Sequence, residues 1–571
     1  MSDELKHECA VALVVLKKDG EYYRNKYGAS DYGGVKLSLL LEKQHNRGQD
    51  GAGAAIIMAN PEAGAVPYQI FKSASATPLA DVLGMLTKRS IAATGFGRVF
   101  LGHLRYATFG KNEESFCHPF VHASSELEHT LLLAGNFNLT NAAELFESFK
   151  RQHCFPTSRA DGYLITELIA HELEKNFNIS SAVSNVLKDA DGAWTLIGAT
   201  ADGTVFATRD PHGIRPGYYY DADDVLAVAS ERPAIQAAFD VPPEAVKELP
   251  PDAILIVSPN GDVKISKLRP DITADPRPCS FERIYFSRAN DADICRERKA
   301  LGAALVPQIL AAANAPMERI FFSYIPNSAR IAFYGLLEKL FSDSTLKHTI
   351  PRFGEIAVKD AKFRTFIADA AARREFYKHV YDVTYGLVNE DDTLVVMDDS
   401  IVRGNTMKNA IIPMLSRLGP KRIVIVSSAP PIRYPDCYGI DMSTLGELVA
   451  FRALVNLLDG EQGTGNGEQE LRNALAENNP LAALYARFTE EEHCREIARL
   501  LTPPGIKAEV AVVYQSIENL HKALSPIPRS PFPVPRIGDW YFTGDYPTPG
   551  GYKVLHQAIL NYLNKNSERS Y

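Results

Sequence analysis

Between Cys9 and about Pro270, short apolar runs recur: AVALVVL, AAIIM, TLLLAGNF, WTLIGAT and VLAVAS. Each has strand length and is bounded by polar or glycine-containing residues. Longer stretches with apolar residues at helical spacing, such as residues 160 to 175, interrupt them, so the first half predicts one mixed α/β unit. A polar, proline-containing stretch, RPDITADPRPCSFE, leads into a second pattern. There RIFFSYI, TLVVMDD, RIVIVSSA and EVAVVYQ are apolar throughout and alternate with helical segments. Such strands predict a parallel sheet covered on both faces.

Two later segments interrupt that rhythm. Residues 459–480 are polar and glycine-rich, and they open a stretch to about residue 504 that reads as an inserted surface loop with short helices of its own. The proline-rich tail SPIPRSPFPVPRIGDWYFTGDYPTPGG predicts a wrapping segment before a last helix over 552–564. The expected units are 9–270, then 280–525 with the insertion, then 526–571.

The 571-residue length fits such a division at roughly 150 residues per domain. A formal charge of −8 gives no basic footprint for nucleic acid or a membrane surface, while a single cationic pocket for a small anion is still compatible with it. The seven cysteines are odd in number and scattered without a CxxC, which argues against a disulfide framework and for a reducing compartment. The acidic start lacks the features of a signal peptide, and no apolar run nears the roughly 18 residues that span a bilayer, so the expectation is a cytoplasmic protein.

The chemistry concentrates first in VVMDDSIVRGNTMKNA. An apolar strand ends in Asp398 and Asp399, and a small-residue turn opens a helix. Backbone N–H groups from Ser400 to Thr406 at that helix N-terminus suit a 5′-phosphate, with the Ser400 and Thr406 hydroxyls assisting. The two carboxylates at the strand's carboxyl end suit ribose hydroxyls.

The string resembles the phosphoribosyl pyrophosphate motif of type I phosphoribosyltransferases, and most closely the DDSIVRGTT form of the amidophosphoribosyltransferase family, with Asn405 in place of the first Thr of the pair. RTFI (364–367), PCSFERIYFSR (278–288), SSAPPIRYPDCYGIDM (427–442) and FTGDYPT (542–548) match the same family. The resemblance implies that Asp398, Asp399, Ser400, Ile401, Val402, Arg403, Gly404, Asn405 and Thr406 bind phosphoribosyl pyrophosphate. It also implies that Lys359 and Arg364 belong to a closing loop, and that Ser328 with Asp398 and Asp399 holds Mg²⁺. The acidic residue of the family's pyrophosphate loop is Asn327 here.

In the first half, QHNRGQDGAGAAI (44–56), with Asn46 inserted, GHLRYATFG (102–110) and AGNFNLTN (134–141) resemble the glutaminase motifs of that family. The implied fold is an N-terminal nucleophile hydrolase αββα sandwich followed by a doubly wound parallel sheet. The implied nucleophile is Cys9, whose own freed α-amine, with a pKa near 8, serves as base once residues 1–8 are removed. Arg105 would pair with the α-carboxylate of glutamine and Asp161 with its α-ammonium. Asn136 and the Phe137 backbone N–H would hold the oxyanion. The family's Gly after the nucleophile is Ala10 here, and its oxyanion Gly is Phe137. Of the four cysteines that hold an iron–sulfur cluster in some members, only Cys279 has a clear counterpart, so no cluster is expected.

The implied reaction makes 5-phosphoribosylamine, glutamate and pyrophosphate from glutamine and phosphoribosyl pyrophosphate, the entry to purine synthesis. The implied protein is a homo-oligomer, dimer or tetramer, open to purine-nucleotide inhibition. The substitutions at Ala10, Phe137, Asn327 and Asn405 motivate a second reading, a paralogue that binds phosphoribosyl pyrophosphate or nucleotides without turnover.

Overall fold

A computed structural model describes residues 9–29, 31–61, 64–92, 95–106, 113–152, 157–158, 160–176, 178–270, 275–344, 350–359, 381–462, 467–525 and 536–566. In the first half the strands are β1 Ala10–Leu16, β2 Gly51–Met58, β3 Tyr68–Ser73, β4 Gly97–Arg105, β5 Phe120–His122, β6 Leu131–Leu139, β7 Gly192–Thr200, β8 Val205–Arg209, β9 Tyr218–Asp221, β10 Val225–Ala229, β11 Lys247–Glu248, β12 Ala253–Val257 and β13 Val263–Lys267. They form a seven-stranded sheet, ordered β11-β9-β10-β1-β4-β2-β3, and a six-stranded sheet, ordered β13-β12-β8-β7-β6-β5.

The alternation along β1 explains how these sheets stack. Val11, Leu13 and Val15 pack with Leu132, Ala134, Ile197 and Ala207 of the other sheet. Ala10, Ala12, Val14 and Leu16 face the opposite way, with Leu37, Leu40 and Leu41 of helix Tyr32–Lys43. On the far side Leu131 and Leu133 meet Leu164, Ile165 and Ile169 of helix Asp161–Asn176. Because β1 is covered on both faces, its run is apolar at every position. The result is the expected αββα sandwich.

The second half adds β14 Ile320–Tyr324, β15 Arg352–Phe353, β16 Ala357–Lys359, β17 Tyr381–Val383, β18 Thr393–Asp398, β19 Arg422–Ser427 and β20 Glu509–Tyr514. The main sheet runs β15-β14-β18-β19-β20 with every pairing parallel. Leu394, Val396, Ile423 and Ile425 serve one core, while Val395, Met397, Val424 and Val426 serve the other. The chain leaves β14 toward β15 and returns to its other side at β18, which makes the carboxyl ends of β14 and β18 a topological switch point, where open α/β sheets bind ligands.

The stretch from 459 to 504 differs from the surface loop that its glycine content predicts. Only its opening residues are glycine-rich, and beyond them apolar positions return at helical spacing. Leu471, Leu481, Leu484 and Tyr485 join the core beneath the C-terminal helix Pro549–Leu563, and helix Glu490–Leu501 packs Ile497 and Leu501 into the sheet's own core. The C-terminal segment ties the halves together. Asp191 accepts hydrogen bonds from Thr548 Oγ1 at 2.6 Å and from Gly550 N at 2.9 Å, and Asn138 Nδ2 donates to Cys437 O at 2.7 Å.

Candidate active site

Two cavities stand out, one inside the first half and one where the two halves meet. The first, about 50 Å³, is lined by Cys9, Arg105, Tyr106, Phe116, His118, Phe120, Gly135, Phe137, Ala160 and Asp161. Cys9 immediately precedes β1, Arg105 ends β4, and Asp161 opens helix Asp161–Asn176, so three separate elements deliver the reactive thiol, the cation and the carboxylate to one small space.

Burial dominates its electrostatics. It pushes the Cys9 thiol up to about 11, opposed by a backbone hydrogen bond from Tyr106 and by the charges of Arg105 and Arg215. A thiol held so high is protonated at neutral pH and needs a base. Burial likewise pushes the Asp161 carboxyl up to about 6, against the Gly162 N–H that donates to Oδ1 at 2.8 Å and against the charge of Arg105. A bound ammonium would reverse that shift, since an opposite charge favours the ionised form. Asn136 is 2% exposed, and its Nδ2 has no hydrogen-bond partner among the described residues. Phe137 keeps an ordinary extended backbone inside β6, opposite Trp194, so replacing glycine here costs no left-handed strain.

The second cavity is an open cleft of about 1020 Å³ at the switch point. Pro326, Asn327 and Ser328 after β14, Asp398 to Val402 with Gly404 and Thr406 after β18, and Arg288 and Arg298 line one side. His45, Asn46, Gln49, Asp50 and Tyr106 of the first half line the other. Asp399 is buried and accepts hydrogen bonds from the Ser400 hydroxyl at 2.8 Å and from the Ser328 hydroxyl. Burial raises its pKa, and those hydroxyls and the nearby Arg298 oppose the rise. Gly404 has φ +77°, and a Cβ there would lie 2.3 Å from Leu501 Cδ2, so the turn needs both the left-handed conformation and the missing side chain.

A buried network runs from the lip of the cleft to β1. Arg47 pairs with Glu231 through Nε at 2.7 Å and bidentately with Glu282 at 3.0 and 2.7 Å. Glu231 also accepts from Asn46 Nδ2 and from Arg288 N, both at 3.0 Å. Gln44 continues the chain, donating to Val11 O and accepting from Glu231 N, each at 3.2 Å. The strand that follows Cys9 is thereby linked by hydrogen bonds to the lip of the cleft.

Comparison with known proteins supplies the family. A glutamine amidotransferase domain model matches residues 109–237. An amidophosphoribosyltransferase of Methanocaldococcus jannaschii is 29% identical over 430 residues, 72% of this chain and 83% of that protein. That of Bacillus subtilis is 31% identical over 363 residues, 62% of this chain and 70% of the relative. The chain belongs to the amidophosphoribosyltransferase family. It is therefore a glutamine-dependent enzyme of purine biosynthesis, a glycosyltransferase with glutamine amidotransferase activity. The fold agrees with the solved glutamine phosphoribosylpyrophosphate amidotransferase of B. subtilis complexed with ADP and GMP, at TM-score 0.68 and 24% identity over 95% of this chain and 97% of that one. A second solved structure, described as the allosteric regulatory enzyme of purine biosynthesis, gives TM-score 0.67 and 25% identity over 95% and 96%.

Within this amidophosphoribosyltransferase architecture, Cys9, Arg105, Asp161 and Phe137 share one cavity, and Ser328, Asp398, Asp399, Ser400, Gly404 and Thr406 share the cleft. Ile401 and Val402 also border the cleft, yet both are buried in the cores. Arg403 and Asn405 do not line it: Arg403 turns back to Glu447 at 2.6 Å and to the Asp441 carbonyl at 2.8 Å, bracing the loop from behind, and Asn405 is exposed. The Ser400 hydroxyl is spent on Asp399. Lys359 is the last residue of β16. Arg364 and the rest of RTFI, like residues 1–8, lie outside the described residues. Sequence reasoning missed Tyr106, His118 and Arg298. Tyr106 stood in the quoted motif, whereas His118 and Arg298 are placed by tertiary contacts alone.

Proposed function

We propose that glutamine is hydrolysed in the Cys9 cavity and that its ammonia passes internally to C1 of phosphoribosyl pyrophosphate in the cleft. The observation that carries this reading is Tyr106, which lines both cavities. With residues 1–8 removed, the Cys9 α-amine takes the thiol proton as sulfur attacks the amide carbon. Asn136 Nδ2 and the Phe137 N–H receive the developing oxyanion; Nδ2 is buried without a partner among the described residues, and Asn136 stands between Gly135 and Phe137, which line the cavity. The amine returns the proton to the departing ammonia, and water then releases glutamate from the thioester. Arg105 and Asp161 hold the amino-acid head group.

In the cleft, backbone N–H groups around Gly404 take the 5′-phosphate, Asp398 and Asp399 take the ribose hydroxyls, and Arg298 adds positive charge beside Asp399. Ser328, Asp398 and Asp399 are hard oxygen donors suited to Mg²⁺. Among the described residues no group of three or more metal-ligating side chains is gathered, which fits an ion that arrives with the substrate's own phosphate oxygens. When bound, Mg²⁺ would neutralise the leaving pyrophosphate.

The same reading gives a glutaminase unit over 9–270, a phosphoribosyltransferase unit over 280–525 and a C-terminal wrap over 526–571. The protein works in the cytoplasm as a homo-oligomer under purine-nucleotide control. Apolar Phe341, Phe353, Ile350 and Tyr385 are exposed, which supports self-association. No iron–sulfur cluster is part of the reading: Cys279 Sγ sits 3.1 Å from the Tyr541 hydroxyl, packed among Phe281, Trp540 and Tyr541. The test is a mass measurement of the cellular N-terminus combined with an assay of phosphoribosylamine formation from glutamine. A start at Cys9 with turnover is expected; inactivity of protein verified to begin at Cys9 would favour the non-catalytic paralogue.

A further inference from the structure

One residue of the small cavity has a fixed proton and no assigned task. His118 is 8% exposed and lines the space with Cys9, Arg105 and Asp161. Its ring stacks on His103 at 4.1 Å between centroids and 12° between planes. Both rings hold the main chain of Gly135: Gly135 N donates to His118 Nδ1 at 3.1 Å, and His103 Nε2 donates to Gly135 O at 3.0 Å. A backbone N–H can only donate, so His118 Nδ1 must be the accepting, unprotonated nitrogen. The neutral ring then carries its hydrogen on Nε2. Burial and the neighbouring His103, Lys72 and Arg105 hold its pKa well below the ordinary value, in keeping with a neutral ring.

The Nε2 atom lies at the Asp161 end of the cavity, 3.1 Å from where a Cβ on Gly162 would stand. Phe120 and Phe137 flank the ring at 4.9 and 6.0 Å. No hydrogen bond from His118 Nε2 is present among the described residues, and the group beside it, Asp161, accepts from Gly162 N. A neutral N–H donor in a cavity this small, next to the residues that hold the amino-acid head group, has one anionic partner to meet. We infer that His118 is a further glutamine-binding residue, donating from Nε2 to the substrate α-carboxylate alongside Arg105. This rests on the reading that the Cys9 cavity takes glutamine. The neutral donor adds geometric selection without a second cation that would repel the α-ammonium.

The test compares glutamine with glutaminamide, in which a neutral amide replaces the α-carboxylate, in the glutaminase reaction of wild type, His118→Phe and His118→Gln. Phe keeps the stacked ring and loses both nitrogens, while Gln can place an N–H near the Nε2 position. For glutamine, His118→Phe is expected to raise KM roughly 10- to 100-fold, the loss of one hydrogen bond to a charged group, with kcat changed far less. For glutaminamide the same substitution is expected to change kcat/KM by less than about threefold, and His118→Gln to recover most of the glutamine KM. Equal losses for both substrates would assign His118 to holding the Gly135 strand and overturn the proposal, as would an unchanged glutamine KM. Melting temperatures separate these results from misfolding: a melting temperature far below wild type makes His118→Gln the deciding variant, with wild-type KM supporting the contact and the raised KM of the Phe variant overturning it. Failure of the underlying reading looks different: wild type beginning at Cys9 would hydrolyse no glutamine while still making phosphoribosylamine from ammonia.

Discussion

The two cavities of this protein solve recognition in opposite ways. The cavity proposed for glutamine is small and lined by side chains, with a thiol, a carboxylate and a guanidinium drawn from three separate elements into about 50 Å³. The cleft proposed for phosphoribosyl pyrophosphate is some twentyfold larger, and the donors proposed for its phosphate lie mostly in the backbone of one turn after β18. A site of few buried side chains is sensitive to each of them. A site of backbone donors tolerates substitution wherever the side chain points elsewhere.

The largest effect is expected of Cys9→Ala, which should lower glutamine-dependent synthesis by about three orders of magnitude or more while ammonia-dependent synthesis continues. Equal loss of both activities, measured in parallel assays, would deny that the cavities are separate. Asp399→Asn probes the side-chain exception in the cleft. It should cut synthesis by about 100-fold with either nitrogen donor, because the buried carboxylate serves the shared substrate. An effect confined to the glutamine reaction would contradict its place.

Arg105→Lys replaces a planar fork by a point charge and should raise glutamine KM by roughly 10-fold or more, with phosphoribosyl pyrophosphate KM unchanged. The pH dependence follows from Asp161. Its folded pKa is raised to about 6, so the anion that meets the α-ammonium is present above that pH and lost below it. Glutamine KM should therefore climb about tenfold for each unit below about pH 6, and Asp161→Asn should flatten the profile at a high KM. The smallest effect is the most diagnostic of the cleft. Because Arg403 braces Glu447 and Asp441 rather than the ligand, Arg403→Ala should cost about 1 to 3 kcal/mol of stability by calorimetry and leave phosphoribosyl pyrophosphate KM within about twofold. A tenfold rise in KM with unchanged stability would return the residue to the binding site.

Much of this was legible in the chain because the deciding features are local. An apolar run ending in Asp398 and Asp399 before a small-residue turn is a strand, loop and helix within one short segment, and β18 ends as that pattern predicts. Cys9, Arg105 and Asp161 were legible through motifs, although nothing local says they meet. Features set by long-range packing were not. Arg403 sits in the phosphate motif, yet the acidic partners Glu447 and Asp441, some forty residues on, turn it away. The glycine-rich opening near 459 concealed helices whose apolar faces complete the core under the C-terminal helix. Arg298 stands about a hundred residues before Asp399, and only the parallel sheet brings them together. The tautomer of His118 is set by the Gly135 backbone, which no spacing rule anticipates.

In the proposed mechanism the two cavities act in series, with Tyr106 lining both. The most direct measurement supplies glutamine labelled with ¹⁵N in its amide, in the presence of unlabelled ammonium and phosphoribosyl pyrophosphate, and determines the isotope in the phosphoribosylamine formed. With internal transfer, the product nitrogen carries the glutamine label undiluted by solvent ammonium. Label diluted to the solvent ratio would show that the ammonia escapes before transfer and would contradict it.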